Sequence, residues 1–533
     1  MKKLFSLIIL LPCLAFATDR YPKNPAIDIT HYTFRLEVND STNVIAGLAS
    51  VQILFKGMVT EFELDLANKN QAGAGMEVTD VTLQNQPLSF THKNDRLKIS
   101  LPKPARQNDQ LTFIISYGGI PQDGLIIGVT KFGDRGFFGD NWPNRGHHWL
   151  PVIDHPSDKA SVDFIIIAPL HYAVVANGIK IEESLLDKKR KLTHWHEEVP
   201  LPPKVMVAGI AQFAVQYAGK VGDISVQSWV YPQNREAGFH DYAVALNVLE
   251  YFQSHIAPYP FKKLANVQSK TKFGGLENAN TIFYFENSVN GKGEREGLIA
   301  HEVAHQWFGD SASEDDWHHV WLSEGFATYF GHLYEAHANG RDHFVSLLQK
   351  DRTTVINFYS KNQAPVVDTT ITDINKVLSP NTYQKASWVL HMLRHKVGED
   401  LFWKGIREYY RTYCNSNALT ADFQRVMETT SGQDLEEFFD QWIYHGGHPS
   451  LKGTWQYDAK SHTVVVNLSQ LQPHPFKAPL EIGITYGDGK KETRTVLLEG
   501  KAQKISLQVE ASPGAVVLDP DTWLLFEGAL TKK

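Results

Sequence analysis

The sequence predicts a multidomain α+β protein with an N-terminal β-rich domain, a mainly helical middle domain and a C-terminal β-sandwich. The chain has 533 residues, of which 42% are hydrophobic and 11% aromatic. It can therefore bury several cores and is too long for one ordinary domain. Apolar residues alternate with polar ones in the first part, recur with helical spacing in the middle and alternate again at the end.

Residues 1–17 have the pattern of a cleavable export signal. Lys2 and Lys3 precede an apolar stretch from Leu4 to Leu14, and the segment ends in Ala15-Phe16-Ala17. The apolar stretch is too short to span a bilayer, and no later segment has the roughly 20 continuous apolar residues of a membrane helix. We therefore expect an exported protein without a membrane span, located in a periplasm or outside the cell.

Charge and cysteine content exclude further classes of function. The formal net charge is −7, without long runs of one sign, which argues against nucleic acid as a partner. Removal of the export signal would leave Cys414 as the one cysteine, so an intrachain disulfide is not expected. Neither composition nor pattern predicts an oligomeric state.

The predicted domain boundaries follow these changes of period. Residues 18–218 contain short alternating segments such as "HYTFRLEV" and "QLTFIISY", separated by Asn, Gly, Pro and Asp, which is typical of β-strands. Residues 219–448 contain helical patterns such as "FHDYAVALNVLEYFQSHI" and "LSEGFATYFGHLYEAHA". Residues 449–533 return to alternation, with Asp488-Gly489 as a predicted hairpin turn.

The stretch "GLIAHEVAHQWFGD" places His301 and His305 four residues apart around Glu302. Residues at i and i+4 share one face of a helix, so both imidazoles can bind one ion. A catalytic zinc needs a third protein ligand and an open position. Glu324, in "VWLSEGFATYF", begins a second helical pattern near Leu322 and can supply that ligand if the second helix folds back against the first.

These two stretches, "HEVAHQWFGD" and "DDWHHVWLSEGFATYF", resemble the zinc signature of the aminopeptidase N-like gluzincin metallopeptidases, a family that also includes leukotriene hydrolases. The resemblance implies a thermolysin-like catalytic domain and one Zn²⁺ per chain, bound by His301, His305 and Glu324. It also implies that Glu302 is the general base. The chemistry agrees, because zinc acidifies water and polarises a carbonyl, while a nearby carboxylate can carry the proton to the leaving amine.

A second motif lies upstream, in "KTKFGGLENANTIFY". It resembles the family's exopeptidase motif, here formed by Gly274, Gly275, Leu276, Glu277 and Asn278. Leu276 stands where methionine is usual, and Asn280 stands where the family commonly has glycine. A glycine-containing extended segment at a sheet edge can pair with a peptide backbone, and Glu277 can then meet a free α-ammonium group. Phe273 occupies a position that in relatives borders the pocket for the first side chain.

The segment "NTYQKASWVLHML" resembles the family's Tyr-x-Lys-Gly stretch, with Ala386 in place of glycine. It places Tyr383 at the head of a helix, where its phenol can stabilise an oxyanion. In the N-terminal region, "WLPVIDHPSDKASVDF" resembles a family stretch that follows a Gln or Glu sharing the α-ammonium. The corresponding residue here is Trp142, which cannot do so, and the neighbouring Asp140 and Asn141 are the candidates instead.

The resemblance spans most of the chain and implies a zinc-dependent aminopeptidase acting on peptides with a free N-terminus. An endopeptidase of the same clan would not need Glu277. A leukotriene-type epoxide hydrolase shares both motifs, but the sequence ends after the β-sandwich, without the helical domain that walls the lipid pocket. A binding or scaffold protein on an inactive gluzincin fold would not need Glu302 and Tyr383. The sequence does not predict the preferred N-terminal residue.

Overall fold

The structure, a computed structural model, describes residues 19–533; the predicted export signal lies outside the described residues. The N-terminal part is built from three sheets, with strand orders β13-β14-β11-β1-β2-β8-β4-β5, β3-β7-β6 and β12-β15-β10-β9. The strands are β1 Ile27–Glu37, β2 Ile45–Phe55, β3 Val59–Asp65, β4 Gly75–Leu83, β5 Gln86–Pro87, β6 Phe90–Lys93, β7 Arg96–Ala105, β8 Gln110–Ile120, β9 Leu125–Val129, β10 Arg135–Gly139, β11 Ala160–Pro169, β12 Ala173–Ala176, β13 Ile179–Leu185, β14 Arg190–Leu201 and β15 Ala208–Ala211.

Alternation of side chains explains the large sheet. Along β1, Tyr32, Phe34 and Leu36 are buried, as the period of two in "HYTFRLEV" predicts. The strand pairs in parallel with β11, where Phe34 faces Phe164, and antiparallel with β2. Two stretches more than a hundred residues apart are thereby brought side by side.

The middle part begins with a five-stranded sheet of order β16-β17-β18-β20-β19. Its strands are β16 Ala214–Val221, β17 Ile224–Val230, β18 Lys263–Ser269, β19 Gly275–Leu276 and β20 Thr281–Phe285. The predicted boundary between residues 218 and 219 falls inside β16, which pairs with β17 along its length. The sheet therefore favours a boundary a few residues earlier than the sequence pattern suggested.

Helices form most of the remaining middle part. They are α1 Arg235–Tyr242, α2 Ala245–His255, α3 Glu296–His305, α4 Trp321–Asn339, α5 Arg341–Tyr359, α6 Ala386–Val397, α7 Glu399–Tyr413, α8 Thr420–Ser431 and α9 Glu436–Phe439. Two short strands, β21 Ala312–Glu314 and β22 Ser416–Ala418, pair in parallel. Within residues 19–533, none of the helices combines the length and apolar character that a membrane crossing requires.

The N-terminal part holds the connection between α3 and α4 in place. Lys159 donates to the carbonyls of Asp310 and Ser311, at 3.1 and 2.6 Å. Buried Lys204 forms an ion pair with Glu314, with 2.5 Å between Nζ and Oε1. The two helices and the loop between them are thus braced from outside the helical part.

The C-terminal part is a sandwich of two sheets, with strand orders β27-β24-β23-β29 and β26-β25-β28. Its strands are β23 Ser450–Asp458, β24 Thr463–Gln470, β25 Ala478–Tyr486, β26 Lys491–Leu498, β27 Ala502–Gln508, β28 Pro513–Leu518 and β29 Glu527–Lys532. The hairpin between β25 and β26 turns at Asp488-Gly489, as predicted, with Gly489 at φ +86°. The predicted fold class, a β-rich domain followed by a helical domain and C-terminal β-strands, is confirmed.

Candidate active site

Helices α3 and α4 bring the three predicted zinc ligands together. On α3, the Nε2 atoms of His301 and His305 lie 3.1 Å apart. Helix α4 passes close to α3 at Gly331, where an added Cβ would lie 3.4 Å from the His301 backbone nitrogen. Glu324 on α4 therefore reaches both imidazoles, with its Oε2 3.5 Å from His301 Nε2 and 3.3 Å from His305 Nε2.

These distances suit a zinc ion. Tetrahedral zinc with bonds of about 2.0–2.1 Å places its ligand atoms about 3.3–3.4 Å apart, close to the three separations observed. Two histidines and one glutamate are also a known donor set of catalytic zinc sites, which leaves one position for water or substrate. His301 remains partly exposed, so the site can be reached from solvent. The residues present therefore fit the zinc ion that the sequence predicts.

The second ring nitrogen of His305, Nδ1, is held in place by groups that the sequence did not indicate. Its Nδ1 lies 3.0 Å from the hydroxyl of Ser323 and 3.2 Å from the carbonyl of Phe308. Such contacts set the tautomer and ring orientation of a metal-binding histidine. Gly309, at φ +128°, permits the close approach, because a Cβ there would lie 2.3 Å from the Ser323 hydroxyl. A hydroxyl and a carbonyl, rather than a carboxylate, therefore orient this ring.

Glu302 lies beneath the glycine-containing segment. Its carboxylate is buried, and a Cβ on Gly275 would lie 2.1 Å from its Oε1. A side chain at position 275 would collide with this carboxylate, which explains the glycine. Burial raises the pKa of Glu302 well above its ordinary value; His305 opposes this effect, and the charges of Glu277 and Glu324 add to it. A raised pKa makes the carboxylate a stronger base.

The segment after Phe273 forms the edge of the five-stranded sheet. Strand β19 pairs on one side with β20 through Gly275 and Leu276. Glu277 follows directly and is buried, and its Oε1 has no hydrogen-bond partner among residues 19–533. Its carboxylate belongs to a group with Glu302 and His305 whose donor atoms lie within 4.8 Å of one another. Burial raises the pKa of Glu277, and the nearby Glu324 charge adds to the rise, although His305 opposes it.

Asn280 shows why this segment tolerates a departure from the family pattern. Its φ is +52°, a left-handed conformation that glycine adopts easily and asparagine tolerates better than most residues. A glycine at this position could adopt the same backbone conformation. The side chain of Asn278, by contrast, has both polar atoms buried without a partner among residues 19–533.

Tyr383 lies on a π-helical turn, Asn381–Lys385, that leads into α6. Its ring stacks on His301, with centroids 6.1 Å apart and an angle of 16° between the planes. Burial and the charge of Glu324 raise the pKa of Tyr383 well above its ordinary value. The phenol therefore keeps its proton beside the metal ligands and can donate it in a hydrogen bond.

The site lies in a small cleft that is open to solvent. Besides the metal ligands, it is lined by Glu302, Gly275, Leu276, Glu277, Tyr383, Phe273, Trp142 and Leu378. Phe273 and Trp142 meet edge to face, with ring centroids 6.1 Å apart. Trp142 occupies the position that the family pattern pointed to, but as an aromatic wall. Leu378 carried no signal in the sequence.

Asp140 and Asn141 do not fit the proposed role of sharing the substrate ammonium. Asp140 forms an ion pair with Arg145 and accepts hydrogen bonds from Thr271 and Lys272. The Asn141 amide donates to the carbonyls of Pro203 and Met206 and accepts from the Trp149 indole. Both side chains are buried and fully engaged, so the structure argues against these candidates.

Comparison with known proteins places the chain in a family. The model of the peptidase family M1 N-terminal domain matches residues 29–203, and that of the peptidase family M1 domain matches residues 241–442. Glutamyl aminopeptidase of Rattus norvegicus is 25% identical over 405 residues, or 72% of this chain and 42% of that protein. The Homo sapiens protein of the same name is 28% identical over 370 residues, or 65% of this chain and 38% of that protein. The chain thus spans about two fifths of these relatives.

A solved structure agrees at the level of the fold. An M1 zinc metallopeptidase from Deinococcus radiodurans aligns with a TM-score of 0.69 and 22% identity, over 80% of this chain and 95% of that one. The two family models together cover more than half of the sequence. The chain is therefore a member of the M1 peptidase family.

Proposed function

We propose that this protein is a zinc-dependent aminopeptidase that removes N-terminal residues from peptides, with one Zn²⁺ per chain. The observation that carries the proposal is the placement of buried Glu277, whose Oε1 has no hydrogen-bond partner in the described part of the chain, beside the converging donors of His301, His305 and Glu324. Metal ligands alone would serve any peptidase of this clan. A carboxylate at the end of an edge strand adds a site for the amino end of a peptide.

Each residue of the candidate site has a separate role in this proposal. His301, His305 and Glu324 would hold the zinc ion, which when bound supplies a Lewis acid that polarises a carbonyl and acidifies water. Glu302 removes the proton from the attacking water and delivers it to the leaving amine. Tyr383 donates its phenol proton in a hydrogen bond to the oxygen on which negative charge develops.

The edge strand and Glu277 determine where the peptide is cut. The free side of β19 can pair with an extended substrate backbone, and Phe273 borders the space for the first side chain. An α-ammonium is costly to bury unless a carboxylate meets it, and Glu277 is the carboxylate at this end. A peptide held in this way presents its first peptide bond to Glu302 and Tyr383.

Digestion of matched peptides tests the proposal. Purified protein should contain one equivalent of zinc and trim a free peptide one residue at a time, while mass spectrometry should show only slow residual cleavage of an N-acetylated copy. Glu302→Gln keeps the shape of the side chain and removes the base, so zinc should remain while the rate falls by roughly 10²–10⁴-fold. Internal cleavage of the acetylated peptide at a comparable rate would show an endopeptidase instead.

Glu277→Ala provides the sharper arm of the same experiment. It should slow cleavage of free peptides strongly and barely change any residual cleavage of acetylated ones. Export is a separate part of the proposal and rests on residues 1–17. Cell fractionation should find the protein in the periplasm or the medium, and retention inside cells would contradict this part alone.

A further inference from the structure

The side chain of Gln306 joins three segments around the candidate site: Tyr259, the connection that holds Glu277 and Asn280, and the loop that holds Asp310. Its Oε1 accepts from the backbone N–H of Asn280 at 2.6 Å and from the hydroxyl of Tyr259 at 3.1 Å. Its Nε2 donates to the carbonyl of Glu277 at 2.9 Å and to Asp310 Oδ2 at 2.9 Å. A primary amide has two donor protons and two acceptor lone pairs, so every hydrogen-bonding position of Gln306 is used.

The location of these partners gives the amide a mechanical role. Gln306 directly follows the last residue of α3, which carries His301, Glu302 and His305. Glu277 and Asn280 lie between the edge strand β19 and β20. One buried side chain thus connects the metal-binding helix to both ends of the segment that carries Glu277. Strand pairing does not make this connection, because β19 pairs with β20 and α3 stands outside the sheet.

We propose that Gln306 is a positioning residue that sets the distance between the metal-binding face of α3 and Glu277. The inference rests on the proposed aminopeptidase function, because that distance matters only if Glu277 meets the substrate ammonium while the first peptide bond lies beside Glu302. Catalysis by held groups is sensitive to displacements of about 1 Å, which can cost about 10²-fold in rate. A substrate without the ammonium does not depend on this distance.

Two substitutions at Gln306 separate the effects of its hydrogen bonds. Gln306→Met keeps the length of the side chain and removes all four hydrogen bonds. Gln306→Glu keeps the acceptor for Asn280 and Tyr259 and removes the donors to Glu277 and Asp310. Gln268→Met is the matched control: Gln268 is a buried amide on β18 that accepts from the Tyr231 N–H and donates to the Glu286 carbonyl. Neither of these hydrogen bonds involves α3.

The measured quantity is the ratio of kcat/KM for a free peptide to that for its N-acetylated copy. We expect both Gln306 variants to retain zinc and to lower this ratio by about 10–100-fold, mainly by raising KM for the free peptide. Gln268→Met should leave the ratio within about twofold of the wild type, even if its melting temperature falls as far as those of the Gln306 variants. Calorimetry adds a readout without turnover: both Gln306 variants should bind free leucine more weakly, and their binding of N-acetylleucine should not change.

The outcomes are distinguishable from failure of the proposed function. A wild-type protein that cleaves free and acetylated peptides equally overturns the aminopeptidase proposal, and the inference falls with it. A discriminating wild type whose ratio is unchanged in both Gln306 variants overturns the inference alone. An equal loss on both substrates, matched by Gln268→Met, would show that Gln306 only stabilises the fold. If Gln306→Met does not fold, Gln306→Glu decides the matter, because it retains two of the four bonds.

Discussion

The candidate metal site and a second group of side chains, on the large N-terminal sheet, have nearly the same residue types and different geometry. We call the second group the sheet cluster: His31, Asp163, His194 and His196. In it, three imidazole nitrogens lie 2.8–3.0 Å from the two oxygens of Asp163. In the metal site, two imidazole nitrogens and one carboxylate oxygen lie 3.1–3.5 Å from one another.

The backbone explains this difference. Residues i and i+4 of a helix point their side chains along one face, so two imidazoles can aim at one point. Side chains on neighbouring strands stand roughly perpendicular to the sheet and side by side. Among residues 19–533, the groups of three donors within 4.8 Å of one another are His301–His305–Glu324 and Glu277–Glu302–His305. Convergence of the nitrogens, rather than the number of histidines, therefore indicates a metal site.

Removing one histidine from each group should distinguish the candidate metal site from the sheet cluster most clearly. His305→Ala should lose stoichiometric zinc and all measurable activity, because two remaining ligands hold zinc weakly. His196→Ala, the matched change in the sheet cluster, should retain one equivalent of zinc and full activity. Metal analysis of both purified variants decides the question. Loss of zinc from His196→Ala would mean that the sheet cluster also binds the ion.

Tyr383→Phe should have the next largest effect. It deletes only a hydroxyl, and if that hydroxyl meets the developing oxyanion, kcat should fall roughly 10²–10³-fold with little change in KM. Steady-state kinetics with a free peptide measure both parameters. An increase in KM alone would assign Tyr383 to substrate binding or packing.

Gly275→Ala tests whether activity depends on the close approach of Gly275 to Glu302. The added Cβ would lie 2.1 Å from Glu302 Oε1, so Glu302 or β19 must move, and we expect about a 10²-fold loss in kcat/KM with zinc retained. Gly274→Ala is the control, because its nearest neighbour would be Leu298 at 4.0 Å, and it should cost less than about tenfold. Equal losses in the two variants would rule out the contact with Glu302 as the reason.

The sheet cluster should affect stability and leave catalysis unchanged. Burial raises the pKa of Asp163, but hydrogen bonds from His31, His194 and His196 outweigh this effect and hold the pKa well below its ordinary value of 3.8. The stabilisation is therefore present above about pH 4 and is lost as the pH falls through the lower, folded-state pKa. Asp163→Asn should cost about 1–3 kcal/mol near neutral pH.

Denaturant titrations of Asp163→Asn and the wild type at several pH values test this prediction. The difference in unfolding free energy should shrink below pH 4, with activity at neutral pH unchanged. A difference that is constant with pH would mean that the charge of Asp163 is not what the histidines stabilise.

The contrast between the two groups also shows what the sequence could predict. The ligands on α3 and α4 follow from spacing along one helix and from a turn that folds the next helix back. The position of Gly275 at a sheet edge followed from the glycines in its extended segment. The sheet cluster could not be predicted, because it depends on the parallel pairing of β1 with β11, whose partners are 130 residues apart in His31 and Ser161.

The same limit applied within the site. Asp140 and Asn141 have suitable chemistry and suitable sequence positions, yet buried partners use all of their polar groups. Gln306 carried no signal in the sequence, because three of its four partners, Tyr259, Glu277 and Asn280, are 26 or more residues away along the chain. Sequence patterns report local geometry well, whereas the satisfaction of buried polar groups is decided by contacts between distant segments.

The contacts that hold the loop between α3 and α4 have a consequence for how the protein unfolds. Lys159 and Lys204 belong to the N-terminal part and bind this loop, whose ends set the approach of the two metal-binding helices. An ion that binds only the folded arrangement stabilises everything that the arrangement requires. Zinc should therefore protect the N-terminal strands from proteolysis, and a helical fragment expressed without those strands should bind zinc more weakly than the whole chain. The part of the chain needed to hold zinc would then be larger than the helical part that carries His301, His305 and Glu324.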